Sequence, residues 1–430
     1  MSATSIWLAG AATAAVGLGL LVGTRAVRPV EFARVPAADT AITSRSIAYF
    51  EERLALNPGN FMVESRLINR YILRFGTGAR QEDVARAETL ARHLVRTGPD
   101  AGSALTRLSS VLLMQHKFAE ALERATDALR FSPEDQDALG ALFDADLAAG
   151  RYSEAEATLR RLRPGVVGSQ VRRAQWLDAS GHSEAAYDAL DEVCSRFNHS
   201  SSRPQVVAWC LTQLGAIEHV RRGPEAAKAM WRRALKVLPG YRGALEGLAS
   251  LAQAQGEWNR AQVLYGRIAS DAHPDLYLRL AEVSSALGKG ELARQYEQRF
   301  LAVAGRRENE PLFGLQLAGY YAEQSSPEAS DTALALATRD VARRPTVESF
   351  DELAWVRFRR REYTEALAAS GQAARWGTPS PTMLYHRGRI LEALGRPAEA
   401  GPLLHQSAAR PTLLAPHARR DLALRTAGSS

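Results

Sequence analysis

The chain has 430 residues, 46% hydrophobic and 23% charged, proportions that suit a folded protein and exclude a disordered one. Net charge is +7, and of 54 basic residues only Lys117, Lys228, Lys236 and Lys289 are lysines, leaving 50 arginines; these are scattered among 47 acids, so no basic stripe of the kind that binds nucleic acid is expected. Two cysteines are too few for a disulfide scaffold or a metal cluster, and the dominance of Ala, Leu, Arg and Glu with few β-branched runs points to an all-α fold.

Residues 6–23 form an uncharged run, IWLAGAATAAVGLGLLVG, just long enough to span a bilayer. An uncleaved anchor within residues 1–24 is favoured, because MSATS provides no basic n-region and no clear A-x-A site follows; a cleaved signal peptide is the alternative. Arg25, Arg28 and Arg34 follow the run and favour a cytoplasmic body by the positive-inside rule. Against this, a short apolar segment ahead of a large domain usually serves export, so the body is expected outside the cytoplasm, periplasmic if anchored and secreted if cleaved. Residues 25–44 read as a linker, with a polar tether over 36–44.

Helix pairs begin at Arg45. The spacing predicts a helix over 47–56, ended by Asn57-Pro58-Gly59, since proline removes a helical N–H and glycine accepts the left-handed turn. Predicted helices over 61–75 and 83–95 make the next pair. A cleaner register starts at Gly102 with Leu105, Leu108 and Leu112, then Phe118, Ala121 and Ala125. A degenerate pair carries Ala174, Leu177, Ala186 and Leu190, and an 11-residue loop over 195–205 separates the N-terminal repeats (45–205) from the C-terminal ones (206–425). There the pattern is written twice, 34 residues apart: Leu211, Leu214 and Gly215 answer to Leu245, Leu248 and Ala249, and Ala227, Trp231 and Ala234 to Ala261, Tyr265 and Ile268. Extra residues interrupt the register near 324–328. It recovers at Phe350 and runs on to Leu404. A last helix over about 416–425 is expected to cap the open end with Arg419 and Arg420 facing water, followed by a disordered tail over 426–430.

This 34-residue pattern of small and large residues on two short helices resembles the tetratricopeptide repeat over roughly residues 45–425. Small residues recur at position 8 (Gly215, Ala249, Ala281, Ala354, Gly388) and position 20 (Ala121, Ala155, Ala227, Ala261, Ala293, Ala366, Ala400), where two helices of a hairpin cross. Bulky residues at position 24 (Trp231, Tyr265, Leu404) fill the space toward the next hairpin. Glu218 departs from the pattern, standing where the family has a large apolar residue. The resemblance implies a right-handed α-solenoid of about nine to ten antiparallel helix pairs, with a concave face lined by the first helices that grasps a protein or peptide.

In that register, positions 2, 5, 9 and 12 of each first helix point into the groove. They hold Trp209, Thr212 and His219, then Glu246, Ser250 and Gln253, then Asp351, Trp355 and Phe358, and finally Tyr385, Arg389 and Glu392. Aromatics there gain nothing from the solenoid's own core, so they are expected to await a partner. If the register slips by one residue, they are core instead. Arg357, Arg359, Arg360 and Arg361 beside Phe358 form either a site for an acidic segment or a solvated helix end.

No HExxH, Walker loop, GxGxxG opening a helix or GxSxG occurs, and the acids Glu308, Glu310 and Asp331 have no spacing that would fix two carboxylates together. No catalytic, metal or cofactor site is therefore expected, nor a small-molecule substrate. The nine histidines read as helix surface or loop, and Asn198-His199-Ser200 as a chance sequon. Cys194 and Cys210 fall on antiparallel neighbouring helices across the long loop. They are candidates for a disulfide, against the alternative of two buried free thiols. The function expected is a non-catalytic scaffold for protein–protein interaction at a bacterial-type membrane or in the cell envelope. The alternative is an accessory subunit of a membrane-bound enzyme or envelope assembly machine.

Overall fold

The computed structural model describes residues 40–427 other than 79–80, 198–203 and 378. The apolar run 6–23 and the sequon at 198–200 lie outside the described residues. Among the described residues no helix is long and apolar enough to cross a membrane.

A first helix, α1 (Thr40–Leu56), leads into ten helix pairs. Pairs one to three are α2 (Phe61–Gly78) with α3 (Gln81–Thr97), α4 (Ala101–Met114) with α5 (Phe118–Phe131), and α6 (Gln136–Ala148) with α7 (Tyr152–Arg161). Pairs four to six are α8 (Val167–Ala179) with α9 (Ser183–Ser195), α10 (Pro204–Arg221) with α11 (Pro224–Val237), and α12 (Arg242–Ala254) with α13 (Trp258–Ile268). Pairs seven and eight are α14 (Asp275–Ala286) with α15 (Gly290–Ala304), and α16 (Glu310–Ala322) with α17 (Pro327–Arg343). Pairs nine and ten are α18 (Val347–Arg359) with α19 (Tyr363–Ala373), and α20 (Pro381–Ala393) with α21 (Pro397–Ala408). A 3-10 turn over Pro411–Leu413 precedes the last helix, α22 (Pro416–Ala427). The described residues contain no strand beyond an isolated bridge between Ser270 and His273. α1 starts at Thr40, inside the stretch read as tether. Helix pairs also run unbroken through both degenerate regions.

The helices start where short polar side chains can take up free N–H groups. Asp100, Asp135, Thr346 and Ser380 accept from the N–H three residues on at the heads of α4, α6, α18 and α20. Every alanine of position 20 is buried, and a side chain on either position-8 glycine would strike a neighbour. A Cβ on Gly215 would lie 2.6 Å from Trp231 Nε1, and one on Gly388 would lie 2.7 Å from Leu404. Small residues thus set the closeness of each hairpin, and position 24 closes the gap to the next.

The stacked pairs wind so tightly that the chain meets itself. His116 reaches Pro311 O at 3.2 Å, and Tyr152 Oη accepts from Val347 N–H at 3.0 Å, each across 195 residues. Trp376 packs against Tyr152 and Trp176, with centroids 5.2 and 6.1 Å apart. A superhelical turn therefore takes about 195 residues, a little under six 34-residue repeats. Loops inside pairs two to four abut the loops that enter pairs eight to ten. At this seam the backbones approach so closely that two left-handed glycines are needed. Gly150 (φ 73°) faces Pro345 O, and Gly377 (φ 68°) faces Ala179 O.

Candidate interaction groove and its occupant

The first helices of the C-terminal pairs line the interior of the superhelix, and α22 enters it instead of continuing the stack. Of the two arginines expected in water, Arg420 is exposed, but Arg419 is partly buried against the interior. Leu414 and Ala418 are buried against Trp355 and Tyr385, while the arginines reach across the interior to other first helices. Arg410 Nη1 donates to Val220 O at the end of α10 (2.6 Å), and Arg419 Nη1 donates to Gln253 O at the end of α12 (3.4 Å). Arg420 Nη1 meets Glu282 of α14 at 2.6 Å. Burial holds the Arg419 guanidinium below its usual range.

The residues expected to wait in an open groove divide into two groups. Asp351, Trp355, Phe358, Tyr385 and Arg389 do converge on the concave side, but α22 covers them. Trp355 is 5% exposed and Tyr385 2%. The Trp355 indole stacks on Phe358 (4.8 Å), His386 (4.4 Å) and His417 of α22 (4.8 Å), and its Nε1–H donates to Glu323 Oε1 at 2.9 Å. Arg389 pairs with Asp421 of α22. The expectation that these aromatics stand in water is therefore corrected: a helix of the same chain supplies their partner surface.

The second group serves the walls. Thr212 is buried, and its carbonyl accepts from Trp231 Nε1 at 3.2 Å. Trp209 is half-buried against the cluster that holds the two cysteines, and Glu246 pairs with Arg242 at 2.9 Å. His219 bonds Thr412 Oγ1 at 2.9 Å, again across the interior.

Histidines carry more of the site than their scattered positions suggested: the reading as surface or loop fails for His386, which is buried on a helix, and for His219 and His417, which are partly buried on helices, while His182 and His405 are exposed. His386 Nδ1 lies 3.0 Å from Asp351 Oδ2, and its Nε2 lies 2.8 Å from His417 Nε2. Only one proton can occupy that second bond. Burial, then the neighbouring His386 and Arg420, push His417 well below the ordinary imidazole range. Burial also lowers His219 to about 4, and burial with Arg344 and Arg343 lowers His116 to about 3. Beside this cluster, burial and the adjacent Asp351 and Glu323 raise the Glu352 carboxyl to about 8. The missed signal was pairwise. His386 and His417 are 31 residues apart, near one repeat length, on elements that both belong to the concave side.

The arginine run resolves into internal pairs. Arg357 meets Glu362 at 3.6 Å, Arg359 donates to Ala322 O at 3.1 Å, and Arg360 spans Asp331 and Glu362 at 2.7 Å each. Arg361 takes a left-handed φ of 65° at the turn. Of the three scattered acids, Glu310 pairs with Arg339 and Asp331 with Arg360, so these two are held apart by different partners. Glu218, out of pattern, is buried beside Arg221 at 3.2 Å; the Arg221 guanidinium also lies 4.2 Å from the Tyr187 ring, so the pair ties the fourth hairpin to the fifth. Cys194 and Cys210 are joined in a disulfide with Cα atoms 5.7 Å apart, bridging α9 and α10 across the long loop.

Two family models described as tetratricopeptide repeat match the sequence, one over residues 112–175 and the other over 79–136 and 352–412. No curated protein matches. Solved structures with a similar course include PilW, a widely conserved type IV pilus biogenesis factor, at 16% identity and TM-score 0.39, covering 49% of this chain and 98% of that one. Yeast Tom70 aligns at 13% identity and TM-score 0.37 over 90% of this chain and 92% of its own. Human IFIT1, solved as a dimer with m7Gppp-AAAA, aligns at 12% identity and TM-score 0.46 over 86% of each chain. With the repeat matched over residues 79–175 and 352–412, and ten consecutive helix pairs built on its small-residue crossings, the chain carries tetratricopeptide repeats.

Proposed function

We propose that the protein is a non-catalytic scaffold that holds a protein partner on its concave face, tethered to a membrane through residues 6–23 with its body outside the cytoplasm. The observation that carries this reading is the interior wall of first helices, which already accommodates a helix, α22, through an aromatic floor and ion pairs. A surface that takes one helix by such contacts has the character of a helix-in-groove interface. The Cys194–Cys210 disulfide supports an oxidising compartment, since cytosolic thiols are kept reduced. The arginines quoted above are engaged by acids and helix-end carbonyls, which favours a protein partner over a nucleic acid.

Photo-crosslinkers placed at Glu246, Ser250 and Glu392 in the native membrane-bound protein test the scaffold reading. A defined protein adduct at these positions, missing from sites on the second helices, is the expected result. Adducts only on the second helices would refute it. A phosphatase fused after Ser430 reports the side of the membrane, and an inactive fusion would refute an exported body.

A further inference from the structure

Resting on the scaffold reading, we infer that the interior wall of α10, α12 and α14, with α20, is a receptor for an arginine-bearing helix, and that α22 is its resident, displaceable occupant. The wall has a repeating chemistry. First helices present the negative ends of their dipoles there: Val220 O lies in the last turn of α10, and Gln253 O, near the end of α12, also accepts from Gly256 N–H at 3.2 Å. α22 and the turn before it read that pattern: Arg410 takes Val220 O, Arg419 takes Gln253 O, and Arg420 takes the Glu282 carboxylate one helix further on. On the opposite wall Arg425 binds both oxygens of Glu392 at 3.2 and 3.1 Å, a fork that suits guanidinium better than ammonium.

The occupant is held in a manner compatible with exchange. Its buried apolar anchor is small, Leu414 and Ala418 with part of Leu422, and Leu424 is 75% exposed. His417 adds its stack on Trp355 and its bond to His386, and the rest is ion pairs at the solvent margin, which contribute little each. The partner chemistry follows: an amphipathic helix with two or more arginines on one face and a small apolar ridge to lie on Trp355 and Tyr385.

The test uses the full chain and a fluorescent synthetic peptide of residues 410–427 as probe. Arg420→Gln with Arg425→Gln loosens the resident helix while leaving the wall intact. The peptide is expected to bind this variant at least tenfold more tightly than the unaltered chain. Adding Glu282→Gln and Glu392→Gln should abolish binding, and a peptide with its arginines replaced by glutamine should not bind. Should the double variant fail to fold, Arg420→Gln alone carries the comparison, its side chain being 62% exposed. Three results would overturn the inference: equal binding to both chains, no binding although amide exchange shows α22 open, or protection of α22 as long-lived as that of the repeat cores. None of these touches the crosslinking result, so the scaffold reading stands or falls separately.

Discussion

Closure of the superhelix on itself is most directly tested at Gly150 and Gly377. Both have positive φ, and both face backbone of the other turn: a Cβ at Gly150 would lie 2.6 Å from Pro345 O, and one at Gly377 would strike Ala179 O. Alanine at either position pays for left-handed backbone, about 1–2 kcal/mol, and in addition forces two turns apart, an overpacking cost of about 1–3 kcal/mol. Gly288 (φ 73°) and Gly395 (φ 71°) share the left-handed conformation, in turns inside hairpins like that of Gly150, with nothing within 4 Å of the added atom, so alanine there isolates the conformational part. Urea unfolding should show Gly150→Ala and Gly377→Ala less stable than the two controls by about 1–3 kcal/mol. Small-angle scattering should show a larger radius of gyration for the Gly150→Ala/Gly377→Ala chain only. Equal losses at all four sites with unchanged scattering would refute a seam between turns.

Three further predictions concern the interior. Trp355→Ala should lower unfolding free energy by about 3–5 kcal/mol, measured in denaturant, because it removes a ring stacked on three others and strips Glu323 of its indole donor. Cys194→Ser opens a loop whose joined positions are 16 apart in sequence and should cost about 3 kcal/mol in oxidising buffer, with no difference from the unaltered protein in reductant. Docking of α22 should weaken on acidification. His417 is held neutral when docked and returns to about 6.5 when released, so its contribution is complete above that pH and is lost below it. Local opening of α22, from amide exchange corrected for intrinsic rates, should rise about tenfold per pH unit between about 6 and 5, and His417→Phe should abolish that slope. Asp421, which burial would raise but Arg389 holds below the usual carboxylate range, titrates outside this window.

How much of this was legible follows from the range over which each contact acts. The 34-residue period, the hairpins and their close crossings were written locally. A small residue at position 8 or 20 is required wherever two helices touch, so Ala227 and Ala261 carry the same message in each copy and are buried as that message demands. Trp231 could be placed in the core because Gly215 leaves room for it within one repeat. The cysteines could be brought near each other because consecutive helices of neighbouring hairpins are antiparallel. Whether they bond depends on exact Cα spacing, which periodicity does not carry.

The register put Asp351, Trp355, Phe358, Tyr385 and Arg389 on one face, but that α22 covers this face was not legible. A repeat pattern specifies the rotation from one hairpin to the next only to within a few degrees, and those errors accumulate over nearly six repeats. Contacts such as His116 with Pro311 or Arg420 with Glu282 depend on the accumulated sum, so no window of sequence contains them. The amino-acid sequence by itself determined the unit and its stacking, because the stacking contacts of each hairpin are made with its immediate neighbours. Tertiary structure alone decided that the coil closes after about 195 residues and turns its last helix inward, because there the partners are set by superhelical pitch rather than by any local pattern.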